Sequence, residues 1–260
     1  MVDDSTPRRV LSIARGREMM YWVHQNKAMS YRVNESHILS LKRSRNEGPH
    51  KKGDVLNITV KDYIGKSDKF KSNYKGYKVP IDFNAKELPL EPYFLGVWLG
   101  DGHSYSQRIT NTDTEVISYL NDYAIRLDCE LVTYAQVDRT NNYGIVKRDK
   151  ALAENLFVNV QQELRTLGLI KNKHIPESYL INSRDNRLQL LAGLIDADGY
   201  YSVDYNCFEI VQKNEALATQ IKFLCDSLGF RTSLKRKKAS ILANGYEGEV
   251  FRLRFFGDLD

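Results

Sequence analysis

Between residues 8 and 42 apolar and polar positions alternate in four short runs, RRVLSI, EMMYWVH, MSYRV and HILSLK. Period-two patterning with β-branched and aromatic residues predicts strands, because successive side chains of a strand face opposite sides. The polar, turn-rich NEGPHKKGD (46 to 54) interrupts the pattern. A short strand follows, then a helix from about Thr59 to Lys66, then a basic extended linker. Pro80, Pro89 and Pro92 punctuate the next stretch, and the character of the chain changes near Phe83.

Beyond that point helical and strand patterns alternate, and they do so twice. EPYFLGVWLGDG (91 to 102) predicts an apolar helix with Pro92 in its first turn. HSYSQRIT (103 to 110) reads as a strand. Thr112-x-x-Glu115 has the spacing of a capping box and opens an amphipathic helix carrying Val116, Ile117, Leu120, Ala124 and Leu127. Strands ELVTYAQV and YGIVKR flank a polar turn at Asp138 to Asn142, and a helix from about Ala153 to Leu167 stops at Gly168. The second copy starts with SRDNRLQLLAGLIDADG, capped by Ser183. YYSVDYNCFEIVQK then reads as a strand or hairpin, and Asn214 caps a helix with Leu217, Ile221, Leu224 and Leu228. RTSLKRKK and GEVFRLRFFG are strands joined through Ala243-Asn244-Gly245, whose Asn-Gly is a strong turn signal. Asp101 and Asp198 are 97 residues apart and the caps Asp113 and Asn214 are 101 apart, so the second copy is longer between its acid and its cap. Repetition of this size predicts two similar halves about a pseudo-twofold axis.

The two helices that open the copies carry the chemistry. FLGVWLGDG (94 to 102) and LAGLIDADG (191 to 199) both end in Asp-Gly, and both space small residues by four: Gly96 and Gly100, Gly193 and Ala197. Residues at i and i+4 share a helix face, so small ones let two backbones approach closely. If the helices pack on each other, Asp101 and Asp198 meet at one end of the interface. Carboxylates held that close repel, and a divalent cation relieves the repulsion. One Asp-Gly after a helix is an ordinary helix stop; two in equivalent places of a repeat point to a metal-assisted hydrolytic site for a phosphate backbone. Asp196 has Leu99 as its counterpart and therefore reads as a packing or local hydrogen-bonding residue.

Charge adds a partner. The formal charge is +5, a weak hint alone, but residues 41 to 80 hold eleven Lys or Arg against four acids. That excess, interleaved with tyrosine, suits phosphate and sugar contacts as well as it suits a solvated face. Cys129, Cys207 and Cys225 form no C-x-x-C pair, which argues against a disulfide framework and a structural zinc site and suits a reducing, intracellular setting. No apolar stretch reaches membrane-spanning length, and MVDDSTPRRV has no secretory pattern.

LAGLIDADG at 191 to 199 matches letter for letter the motif of the LAGLIDADG homing endonucleases, and FLGVWLGDG resembles a divergent first copy. The resemblance implies an α+β fold of pseudo-twofold αββαββα repeats, spanning 83–260, with a first repeat at 83–180 and a second at 181–260 whose last helix is missing. It implies cutting of both strands of a long DNA site by a monomer using Mg²⁺ or Mn²⁺. Asp101 and Asp198 become the metal ligands and catalytic acids, with Gly100 and Ala197 beside them in the metal site. NKHIPESYL (172 to 180) resembles the segment following the family's first half, which makes Lys173 a candidate catalytic residue; an exposed lysine is the equal alternative. Double-stranded DNA would be read by side chains of the strands, with Arg108, Arg139, Lys147, Arg148, Lys235, Arg236, Lys237, Arg252 and Arg254 as candidates.

YRVNESHILSLKRS (31 to 44) is similar to the Asn-x-x-His block of intein splicing (Hint) domains, which would give His37 a role in activating a peptide bond, with Asn34 beside it. ITVKDYIGKSDKFKSNYKGYKVPIDF resembles the stretch joining such a domain to an embedded endonuclease. Residues 1–82 are therefore expected to be an all-β partial splicing domain with a basic linker. Neither terminus carries an intein splice junction, so self-splicing by this chain alone is not expected, and complementary intein fragments are a further partner. A DNA-binding or split-intein fragment that does not cut is the alternative to the endonuclease.

Overall fold

Alternation makes the strands of the first eighty residues, and local caps make their helices. In the computed structural model, described for residues 9–13, 15–25, 30–137, 139–148, 159–241 and 246–257, the chain divides into one unit up to Ile81 and a second from Asp82. In the first unit β1 (Met20–Val23) and β2 (Tyr31–Asn34) form an antiparallel pair. A second sheet has the order β4-β3-β5, from β3 (Ile38–Arg43), β4 (Val55–Thr59) and β5 (Tyr74–Lys75). Leu39 and Leu41 alternate with exposed or half-buried neighbours and bury with Val60 and Tyr74 in a small core. The predicted helix is α1 (Val60–Ile64), capped by the Thr59 hydroxyl.

Two expectations fail in this unit. The described residues of RRVLSI form no strand, and Val10, Leu11 and Ile13 are exposed. The supposed extended linker contains α2 (Asp68–Asn73), because Ser67 Oγ accepts from Phe70 N and caps it, so the unit is not all-β.

The second unit is built around α3 (Pro92–Asp101) and α7 (Arg184–Asp198). Phe94 to Leu99 are all buried, the mark of a helix surrounded by protein. After α3 come β6 (Ile109–Thr110), α4 (Thr114–Arg126), β7 (Cys129–Tyr134), β8 (Asn142–Lys147), α5 (Val160–Thr166) and α6 (Glu177–Leu180). After α7 come β9 (Gly199–Ser202), β10 (Cys207–Gln212), α8 (Glu215–Ser227), β11 (Arg231–Ile241) and β12 (Tyr246–Phe256). Each half therefore has its own antiparallel sheet, ordered β6-β8-β7 and β11-β12-β10-β9. One core joins them, with Trp98, Leu120, Leu194, Ile221 and Phe255 among its fully buried members.

The cap of α4 is Asp113, not Thr112: its carboxylate accepts from Glu115 N at 2.8 Å. The strand expected over 103 to 110 shrinks to Ile109–Thr110, because His103 N donates to Arg108 O and Gly102 bridges Ile109, so residues 103 to 108 reverse the chain. The first part of the helix expected from Ala153, Asp138 of the first polar turn, and the turn at Ala243-Asn244-Gly245 lie outside the described residues. From Asn159, whose side chain caps α5, the helix is as expected. A buried guanidinium ties α7 to α8: Arg187 Nε donates to Asn182 O at 2.9 Å and Nη1 to Ser227 Oγ at 2.6 Å.

Candidate active site and nucleic-acid face

The four-residue spacing of small side chains does what close packing requires. A Cβ on Gly193 would meet Tyr93 O and lie 2.9 Å from Val97 N; one on Gly96 would meet Leu190 O and lie 2.8 Å from Leu194 N. Four residues further on, a Cβ on Gly100 would strike Ala197 Cβ and lie 3.3 Å from the Asp198 carboxyl carbon. Both contacts advance in the same direction, so α3 and α7 run parallel and deliver Asp101 and Asp198 at the same end. The glycine after each acid has an equivalent role. A side chain on Gly102 would meet Trp98 O and one on Gly199 would meet Ile195 O, so only glycine lets the chain leave the helix straight into its sheet.

At that end the carboxylates are held by partners that spacing alone did not reveal. Asn111 Nδ2 donates to Asp101 Oδ2 at 2.7 Å, and Gln212 Nε2 donates to Asp198 Oδ2 at 2.5 Å. Asn111 and Gln212 each stand two residues before the cap of the following helix, Asp113 and Asn214, so they are equivalent positions of the repeat. Measuring back from the two caps would have found them. Asp196 points elsewhere and accepts from Tyr93 Oη at 2.6 Å.

Lys173 belongs to this cluster. Its ammonium donates to Leu99 O at 3.0 Å and Gly100 O at 3.1 Å and lies 5.2 Å from the Trp98 ring centre. The segment is held by the other half, through Asn214 Nδ2 to Lys173 O and paired bonds between Gln220 and the Ile175 backbone. Burial pushes Lys173 down to about 8 against the pull of Asp198 and Asp101. Burial pushes Asp101 up to about 6; Asn111 and Lys173 oppose this while Asp198 adds to it. Asp198 is also raised by desolvation, against Gln212 and Lys173.

These shifts predict a pH dependence for the cation-free chain. A carboxyl raised on folding contributes stability that is fully present below its unfolded range and lost as pH rises through its folded value. An ammonium lowered on folding contributes stability that is lost as pH falls through its folded value. Stability should therefore be least between about 6 and about 8. The melting midpoint in chelator is expected to fall as pH rises from about 4 to about 6. Asp101→Asn should flatten that fall, and an equally steep fall in the variant would show that Asp101 is not its source.

The donor set suits a hard cation. Asp101 and Asp198 supply carboxylate oxygens, and the Gly100 and Ala197 carbonyls adjoin them in sequence, although Gly100 O accepts from Lys173. Among the described residues no group of three or more His, Cys, Asp or Glu side chains gathers. Two acids with backbone oxygen fit an ion such as Mg²⁺, which keeps waters and phosphate in its shell, better than a cage of soft ligands.

Strand register sorts the basic candidates. In the second sheet Ile210, Leu253, Phe255 and Leu234 share the face packed on the helices. Lys235, Lys237, Arg252 and Arg254 lie on the opposite, open face. Arg236 does not: it pairs with Phe251 on the helix side and forms an ion pair with Glu249. In the first sheet Lys147 pairs with buried Cys129, so it too is on the helix side, near the strand end. These two depart from the expected basic face because one residue of register reverses a side chain. Arg148, next along from Lys147, and Arg139 are exposed. Arg108 lies over the Tyr134 ring with its guanidinium 3.7 Å from the centre. Arg139 borders a depression of about 540 Å³ lined also by His103, Thr110, Gln136, Thr140 and Asn142.

In the first unit Asn34 Nδ2 donates to Glu18 Oε2 at 2.7 Å and to Ser36 Oγ at 3.0 Å. His37 stands at the entry to β3, where its carbonyl accepts from Val60 N.

Residues 174–252 match the family model described as Hom_end, homing endonuclease. Over 158 residues, 60% of this chain and 22% of the relative, the chain is 34% identical to replicative DNA helicase DnaB of Mycobacterium intracellulare. It is 22% identical over 84% of its length to ATP-dependent DNA helicase Hel308 of Methanocaldococcus jannaschii, and 26% identical over 51% of its length to a probable translation initiation factor IF-2 of that organism, covering 17% and 11% of those relatives. The chain thus spans about a fifth or less of the curated relatives it matches. Among solved structures, I-DmoI in complex with DNA and Mn is similar at 17% identity and a TM-score of 0.41, over 64% of this chain and 89% of that one. Among the described residues no helix is long and apolar enough to cross a membrane.

Proposed function

We propose that residues 82–260 form a site-specific DNA endonuclease of the LAGLIDADG homing type, cutting both strands with Mg²⁺ or Mn²⁺, and that the first unit is part of an intein splicing domain. One observation carries the endonuclease reading: parallel helices packed through glycine bring Asp101 and Asp198 to one point, each held by a carboxamide from the equivalent position of the repeat. Nothing in folding rewards placing two raised carboxylates and a lowered lysine together, so the cluster reads as a site. A bound cation would lower the pKa of a water and stabilise charge developing on phosphate.

The residues of the chain have separable tasks. Asn111 and Gln212 orient the carboxylates through their amide donors. Lys173, anchored from α8, holds a positive charge beside the two acids, where it would stabilise charge developing on a phosphate. Trp98 and the close helix pair exclude solvent from beneath the acids. The open faces of the two sheets supply phosphate and base contacts.

The intein reading draws on the matches themselves. Two DNA helicases and a translation initiation factor carry different names and activities, yet each is similar to this one chain over a small part of its length. A segment shared by such different proteins is most simply an element inserted into them. His37 and Asn34 would be its splicing residues, with complementary intein segments as partners.

The test is cleavage of a plasmid library carrying randomised inserts, with Mg²⁺ or Mn²⁺ against chelator. Linear products with a common junction sequence, formed only with the cation, are expected. Binding of a defined sequence without cutting under any cation would instead favour a DNA-binding module that has lost cleavage.

A further inference from the structure

One acid stands where a surface for DNA should have none. Glu209 lies on the open face of the second sheet, directly opposite Arg254 on one side and Tyr200 on the other. In the same register Arg254 faces Ser233, Val211 faces Arg252, and Arg252 faces Lys235. A carboxylate amid these cations weakens attraction for a polyanion.

It does so while bonding one arginine and lying close to a second. Arg254 Nε donates to Glu209 Oε2 at 2.6 Å, and Arg252 Nη1 lies 3.9 Å from Glu209 Oε1. The Tyr205 ring, 61% exposed, lies against the Arg254 guanidinium with its centre 4.7 Å from the guanidinium carbon. The Glu209 side chain is only 16% exposed, so this is a packed arrangement and not a loose surface pair. Bonding through Nε leaves the two Nη groups of Arg254 outside that bond, and those groups form the fork that matches the O6 and N7 edge of guanine.

We propose that Glu209 is a specificity-positioning residue: it gives up phosphate attraction to hold Arg254, with Arg252 beside it, as a fixed reader of base edges. The inference rests on the endonuclease reading, because it presumes that the open face meets duplex DNA. A mobile arginine contacts whichever phosphate is near, whereas a guanidinium clamped by a carboxylate and a ring meets bases in one orientation. Glu209 thus converts general affinity into discrimination.

The test uses the full chain, a randomised duplex library for selection and sequencing, and a fixed unrelated duplex for affinity. Glu209→Gln is nearly isosteric, and its fold is checked by thermal melting. It is expected to bind the unrelated duplex about threefold to tenfold more tightly, with a salt dependence steeper by about one phosphate contact. Discrimination between the selected site and the unrelated duplex should fall about tenfold, with lost preference confined to a few adjacent base pairs. Arg254→Lys keeps the charge and loses the fork, so it should lose preference at the same few base pairs. If the wild-type chain selects a site and Glu209→Gln selects it with equal discrimination, the inference fails alone. If the wild-type chain selects no sequence, the endonuclease reading fails with it.

Discussion

Asp101→Asn and Asp198→Asn are each expected to abolish cleavage while leaving DNA binding within a few-fold of wild type. The carboxylates sit where α3 and α7 converge, and each accepts a carboxamide bond that an asparagine oxygen could still accept. The substitution therefore removes charge and little shape. Losing a cation's stabilisation of the transition state is worth several kcal/mol, on the order of a thousandfold in rate. Binding should survive because the cations of the open sheet faces do not depend on either acid. Asn also removes a desolvated carboxylate from its like-charged neighbour, so the cation-free variants should melt no lower than wild type. A gain in melting midpoint together with a loss of cutting separates a site built for function from one built for stability. If both variants cut at the wild-type rate, the two acids are helix-end residues and the active site lies elsewhere. Asp196→Asn serves as the contrast, because Asp196 is bonded to Tyr93 and should be dispensable for the reaction.

Elements whose causes are local could be read directly from the chain. The caps Ser183 and Asn214, the apolar faces of α4 and α8, and the two Asp-Gly helix ends each depend on residues within a turn or two of one another. The meeting of Asp101 and Asp198 was also legible, because repetition substitutes for a long-range contact: two similar helices with small residues at the same spacing have few other ways to pack. What stayed hidden was tertiary. Asn111 and Gln212 reach acids 10 and 14 residues away in sequence, and only their shared offset from the two helix caps marks them as a pair. Arg236 and Lys147 sit in basic strands and so look like DNA contacts, but only register decides which face a strand residue takes. Glu209 is hidden for the opposite reason, since one acid in a strand looks like ordinary solvation until its bond to Arg254 is seen. The helix α2 is not legible because a lysine-rich stretch reads as extended, while its start rests on the single hydroxyl of Ser67 and its end on the buried Tyr74.

Substituting Gly193 tests whether the close helix contact positions the acids. A methyl group there would meet the Tyr93 carbonyl and lie 2.9 Å from Val97 N and 3.1 Å from Gly96 Cα, all of them backbone atoms. A flexible side chain could rotate away; a helix backbone can only move as a body. Gly193→Ala should therefore push α3 and α7 apart along the whole seam instead of disturbing one site. Overpacking of this kind costs about 1–3 kcal/mol or more, a fall on the order of 5–10 °C in the melting midpoint of the second unit. The acids lie one to two turns further along the same two helices, so separation at Gly193 should also widen the Asp101–Asp198 gap and remove cutting even in variants that remain folded. Gly100→Ala makes the comparison. Its added methyl would strike the Ala197 side chain and crowd the Asp198 carboxyl, so it should reduce cleavage strongly with a smaller loss of stability. Pairing it with Ala197→Gly removes the atom it would strike and should recover activity. Failure of that rescue, or full cleavage by Gly193→Ala, would mean that the distance between the helices does not set the geometry of the site.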